Sequence, residues 1–387
     1  MRVLHQLLSV SLFTTLALLP TPANHAASPA LRSDLQIENK QWHLEFFATR
    51  EAHRISRGDG VIVAVLDTGV SPHPDLRDNL LPGVDLTSQN PDQGGHDRDG
   101  HGTGMAGLIA AHGRPGDMGT LGIAPAAKLL PVRFKEYGSE GTAERLARAI
   151  EYAIRQRSTV ISISSTGGAD PRLQRAIQTA AHADVVVVAA AGNRPDDLSV
   201  GYPAAYPSVI AVGGVDQDGS HAKVSVTGPD VDVVAPAVDL VSTNFDGGYR
   251  VGTGTSGAAA IVAGAAALVR AKFPYLPADE VVHRLTATAI DKGPPGRDDQ
   301  YGYGVIDLVA ALTADVPPRG FGPGSTAGPD GTGPTTAAAD GPRGGGERAA
   351  TVRGLVTLGV LVAAGVTWVL FIRRRRRSDD PPPRITR

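Results

Sequence analysis

Three residues of this chain, Asp67, His101 and Ser256, have the side chains that together can break an acyl bond. A serine hydroxyl is a poor nucleophile until a base accepts its proton. An imidazole serves as that base when a buried carboxylate fixes its tautomer and stabilises the imidazolium. Asp67 ends the apolar run Val61 to Leu66 and begins Asp67-Thr68-Gly69. His101 lies in Asp99-Gly100-His101-Gly102-Thr103-Gly104, and Ser256 in Gly252-Thr253-Gly254-Thr255-Ser256-Gly257; a run of small apolar residues follows each. Alone, the serine stretch reads as the cap of a packed helix. In combination, the three point to nucleophilic catalysis.

The elements that must position them follow from hydrophobic pattern. The run 61–66 predicts a buried parallel strand with a carboxylate at its C-terminal edge, where open α/β sheets keep their sites. His101 to Gly104 opens a small-residue helix over Met105 to Ala111, and a longer helix runs from Ser256 to about Lys272. A serine at a helix N-terminus meets free backbone amides and the positive end of the macrodipole, which favour negative charge. Further strands are expected over 128–134, 159–164 and 184–190. A helix over 142–156 has Leu146, Ala149, Ile150, Ala153 and Ile154 on one face, and another is expected over 277–286. Asp170-Pro171 supplies a capping residue and an N1 proline for one more helix. Alternating strands and helices place the chain in the α/β class, as a doubly wound parallel sheet with helices on both faces.

Four motifs in register, D-T-G after an apolar strand, H-G-T-G opening a helix, A-A-A-G-N at Ala189 to Asn193 and G-T-S-G-A-A before a helix, resemble the subtilisin-like serine proteases. The Asp, His, Ser chain order is also that family's order. The resemblance covers roughly residues 35 to 313. It implies a serine endopeptidase in which Asp67 orients, His101 acts as base and then acid, and Ser256 attacks. Asn193 and the Ser256 backbone N–H would form the oxyanion hole, worth about 3 to 4 kcal/mol in enzymes of this kind. Ser164, Ser165 and Gly167, in a segment one residue longer than the usual pattern, would form the edge that pairs with extended peptide. Gly201 would floor the first specificity pocket and leave room for a large apolar side chain. The chemistry implied needs no metal or organic cofactor. Ala260 stands where the family commonly has proline, and Gly104, Met105 and Gly257 also depart from common choices.

Several other polar residues have plainer readings. Ser71-Pro72-His73-Pro74-Asp75-Leu76 reads as a proline-stiffened loop, although it is similar to a family H-P-D-L. Asp92, Asp97 and Asp99 do not match an EF-hand spacing and read as solvated loop carboxylates. His43 and His53 read as surface or packing histidines.

The ends of the chain carry the cellular expectations. Residues 1–30 read as a signal peptide, with Arg2 and His5 before the apolar core Leu7 to Leu19. The peptidase domain follows over 31–313, with no space for a long inhibitory propeptide before Trp42, so the enzyme is expected to fold unaided. Residues 314–352 form a Pro/Gly-rich linker, 353–373 a transmembrane helix around the 19 uncharged residues Gly354 to Ile372, and 374–387 a basic tail. The basic cluster after the span predicts a cytoplasmic C-terminus and an extracellular catalytic domain. From Arg373 onward seven Arg and two Asp balance to +5, which leaves −7 for everything before and argues against nucleic-acid binding. Cysteine is absent, so disulfides and thiolate metal sites are excluded. This layout resembles the mycosins, membrane-anchored proteases associated with type VII secretion. The partners implied are a protein or peptide substrate, the membrane and a type VII secretion membrane complex. A structural part in such a complex with dispensable proteolysis, and a general cell-surface degradative protease, are the alternatives.

Overall fold

The expected strand ending in Asp67 is β1 (Ile62–Asp67), an interior strand of a seven-stranded sheet in which every pairing is parallel. The computed structural model describes residues 37–87, 96–116, 118–136 and 138–319. The chain divides into two units, Met1–Ser325 and Thr326–Arg387. The second lies outside the described residues, as do the expected leader, transmembrane run and tail. The fold is therefore that of the first unit.

Around β1 the sheet is completed by β2 (Val84–Asp85), β3 (Lys128–Arg133), β4 (Val160–Ile163), β5 (Val186–Ala190), β6 (Val209–Val215) and β7 (Val233–Pro236). Their order is β2-β3-β1-β4-β5-β6-β7. A separate antiparallel pair joins β8 (Leu240–Thr243) to β9 (Tyr249–Gly252). Strands β4 to β7 are buried at every residue, which requires cover on both faces of the sheet. That cover comes from α1 (Trp42–Phe46), α2 (Thr49–Ile55), α3 (His101–Ala110), α4 (Ala143–Arg155), α5 (Pro171–His182), α6 (Thr255–Lys272), α7 (Ala278–Ala287) and α8 (Leu308–Thr313). The doubly wound α/β class expected from the pattern is observed. The continuous apolar strands 209–215 and 233–236 were not among the expected elements.

The helices start where their capping residues put them. The Thr142 side chain accepts from Arg145 N, and Asp170 from Arg172 N and Leu173 N ahead of Pro171. α4 packs with α5 and shows an apolar and a polar face. α6 has no such division: from Gly257 to Arg270 every residue is buried. Its alanines and glycines let it pass close to β4, β5, β6, β7 and α3 together. Ala260 lies inside this unbroken helix and is fully buried. The buried Arg270 is matched by Asp184 at 2.9 Å and by the Leu276 carbonyl, as a buried charge requires.

Candidate active site

β1 ends at the sheet's C-terminal edge and leaves Asp67 wholly buried. The opening of α3 brings His101 to it, with His101 Nδ1 2.8 Å from Asp67 Oδ1. The same oxygen accepts from Thr68 N at 2.8 Å. Gly102 makes this approach possible: a Cβ there would stand 2.1 Å from the Gly69 carbonyl oxygen. Burial alone would push the Asp67 carboxyl up, but the charges of His101 and Lys135 and the bonds from His101 and Thr68 outweigh it and hold it below the ordinary value. Ionised Asp67 then requires Nδ1 to carry the proton, which leaves Nε2 as the basic nitrogen. Nε2 has no hydrogen-bond partner among the described residues, and the ring is partly exposed.

Asp97 departs from the solvated role expected of it and is buried. Its Oδ1 accepts from Thr68 Oγ1, Asp99 N and Gly100 N, and its Oδ2 from Thr103 N and Thr103 Oγ1. A carboxylate at a helix start satisfies amides that lack intrahelical partners, so Asp97 fixes the start of α3 against the turn after β1. Asp99 Oδ1 accepts from His101 N, and Asp92 lies outside the described residues. Among the described residues no group of three or more His, Cys, Asp or Glu is placed to hold a metal.

Ser256 stands in the first turn of α6, half-buried, and its Oγ has no hydrogen-bond partner among the described residues. The bond to His101 expected from the chemistry is thus not formed; such bonds are often loose in unliganded sites. Gly254, just before the helix, has φ of 152° and lies against the Asn193 side chain. Asn193 Oδ1 accepts from Thr255 N at 2.9 Å and from Thr255 Oγ1 at 3.2 Å. Those donors fix the amide's orientation and leave Nδ2 without a hydrogen-bond partner among the described residues.

The expected substrate edge divides. Ser164 and Ser165 are buried, whereas Gly167 is exposed and its carbonyl accepts from Tyr202 N at 2.9 Å. Ser165 Oγ donates to the Glu140 carbonyl and carboxylate, and Thr166 N donates to Glu140 Oε2. A Cβ at Gly201 would stand 2.9 Å from Thr166 Cβ, so the glycine lets its segment pass close to Thr166.

Two features escaped the sequence reading. The H-P-D-L segment is a turn, as expected, but its polar side chains are buried. Asp75 Oδ2 accepts from Thr120 N and Tyr249 Oη, Arg114 pairs with Oδ1 at 2.8 Å, and His73 Nδ1 accepts from Asp75 N. The other is Lys135, buried just past β3 with Nζ 3.8 Å from Asp67 Oδ1 and bonded to the Ser164 carbonyl at 2.6 Å. No motif marked it, since a lysine after a strand ordinarily reads as a solvated charge. His43 proves to be fully buried, and His53 is half-buried with Nε2 2.9 Å from the Ile123 carbonyl.

With this geometry in place, comparison with known proteins gives a consistent result. The profile of the Subtilase family matches residues 58–304. The chain is 36% identical over 350 residues to Mycosin-1 of Mycobacterium tuberculosis, covering 76% of this chain and 77% of that protein. It is 39% identical over 268 residues to a thermostable alkaline protease of Halalkalibacterium halodurans, covering 68% and 71% respectively. Among solved structures, it is similar to MycP1 from the ESX-1 type VII secretion system, with a TM-score of 0.68 and 32% identity over 75% of this chain and 90% of that one. MycP3 from the ESX-3 system aligns with a TM-score of 0.63 and 35% identity, over 71% and 88%.

Proposed function

The chain belongs to the subtilase family as a mycosin-like serine endopeptidase, and we propose that it cuts peptide bonds through an acyl-enzyme on Ser256. In this reading His101 Nε2 takes the Ser256 proton as Oγ attacks the scissile carbonyl carbon. The oxyanion is met by Asn193 Nδ2 and the Ser256 backbone N–H. As the C–N bond breaks, the imidazolium returns the proton to the leaving amine. A water then attacks the ester with His101 again as base, and collapse frees Ser256 and the new carboxylate. The observation that carries the reading is the 2.8 Å bond from His101 Nδ1 to buried Asp67, which fixes the tautomer the base must have. Extended substrate would lie along the segment Ser164 to Gly167, whose Gly167 end is exposed.

The same proposal includes a membrane-anchored, extracellular setting and association with type VII secretion. Support comes from the uncharged run Gly354 to Ile372 with Arg373 to Arg377 after it, and from the similarity to MycP1. Among the described residues no helix is long and apolar enough to cross a membrane, and the run lies outside them.

The test is labelling of the full-length chain with a fluorophosphonate probe, beside Ser256→Ala and His101→Ala. Labelling that needs both residues is the expected outcome. A folded wild-type chain that takes no label would sink the mechanism and leave a structural part in a secretion complex as the better reading.

A further inference from the structure

The most unusual group near the site is a buried cation that the chemistry of acyl transfer does not require. Phe134 N donates to the Asp67 carbonyl at 3.0 Å, extending the pairing of β3 with β1 by one residue. That bond delivers the next residue, Lys135, to the side of Asp67, with only 5% of its surface exposed. Removing an ammonium from water is costly unless it is paired and hydrogen-bonded. Lys135 meets that cost with two partners: Asp67 Oδ1 at 3.8 Å and the carbonyl of Ser164 at 2.6 Å. One belongs to the acid–base pair and the other to the segment that would receive substrate. Asp67 Oδ1 is thus shared by His101, Thr68 N and the ammonium, while Oδ2 is buried without a partner among the described residues.

We propose that Lys135 is a positioning residue for catalysis, whose ammonium clamps the Asp67 carboxylate to the Ser164 carbonyl and so fixes the acid–base pair relative to the substrate edge. The inference rests on the triad reading above and deepens it. Its chemical consequence is a sign. A fixed positive charge on the oxygen that steadies His101 opposes formation of the imidazolium, so the base stays competent to lower pH than it would without the lysine.

The other charged groups around the pair are already engaged or lie on other elements. Asp97 and Asp99 bind the amides at the start of α3, and Arg133 pairs with Asp85 at 3.3 Å. Arg250 of β9 lies beside Gly100, where a Cβ would stand 3.4 Å from its Nη1. Among the described residues Lys135 is the lysine or arginine paired with Asp67 Oδ1, so its charge is the one whose removal should be felt.

The test compares full-length wild type, Lys135→Met, Lys135→Gln and Lys135→Arg, with Ser256→Ala as the blank. Second-order inactivation by a fluorophosphonate is followed against pH, because it reads the assembled serine and base without depending on a chosen peptide. Casein hydrolysis gives the turnover arm, and thermal unfolding identifies the folded variants. In Lys135→Met and Lys135→Gln the acid limb should move up by about 0.5 to 1 pH unit. Lys135→Arg should keep the wild-type limb. Lys135→Gln retains a donor for the Ser164 carbonyl, so it carries the test if Lys135→Met does not fold. An unchanged limb in a folded neutral variant, even with a uniformly lower rate, overturns the proposal and reduces Lys135 to packing. An inert wild type would overturn the triad reading itself, a distinguishable failure.

Discussion

At the scale of single residues, the site depends on who holds each polar atom. Asn193 has its Oδ1 occupied by Thr255 N and Oγ1, so Nδ2 is the group available for a developing oxyanion. Asn193→Ala should therefore lower kcat by about 10²- to 10³-fold with KM little changed, a magnitude measured for the corresponding donor in subtilisin itself. Steady-state kinetics on casein-derived peptides would check it, and a loss confined to KM would remove Asn193 from that role. The residues with strong local signatures, Asp67 after its apolar run and His101 among glycines, were legible in sequence because backbone geometry demands those neighbours. Asp97 and Lys135 were not, since their burial depends on chain segments tens of residues away. Thr68 lies 29 residues from Asp97, and Ser164 lies 29 from Lys135. A charged side chain in a loop gives no local sign of being enclosed.

At the scale of elements, periodicity located α4, and Thr142 and Asp170 set the starts of α4 and α5. The strands β4 and β5 fell within their expected runs, shortened at the ends. What the pattern did not reveal was enclosure by other elements, and α1 is the clearest instance. His43 lies on this short helix, fully buried, with neither ring nitrogen hydrogen-bonded among the described residues. Burial pushes its imidazole down from 6.5 to about 3. Across that interval the unfolded chain binds a proton that the folded chain does not, so stability falls as pH drops below 6.5 and is unaffected above it. At a pH about 1.5 units below that value, the penalty is about 2 kcal/mol. His43→Leu should abolish this part of the acid loss, read as a smaller drop in urea midpoint between neutral and mildly acid buffer. An equal drop in both proteins would mean that His43 is not the group being protonated. His53, His73 and His221 are also held below the ordinary value, chiefly by burial, and add to the same trend.

At the scale of the whole molecule, the expectations from the two ends concern where the enzyme works. On intact cells, a C-terminal tag should resist added protease while the peptidase domain is accessible to antibody, and a chain ending at residue 313 should appear in the medium. A tag removed by external protease, or a truncated chain that stays with the cells, would contradict the proposed anchor and orientation. The core also bears on when the enzyme works. α6 is enclosed from Gly257 to Arg270 and touches five strands of the sheet, so it can be seated only as the layers around it close. Ser256 sits at the tip of that helix. On the proposed mechanism, a nascent or half-opened chain, the form most easily digested by its neighbours, would lack a seated nucleophile. Protection against self-digestion is then a matter of timing, with the power to cut arriving only once the molecule has become hard to cut.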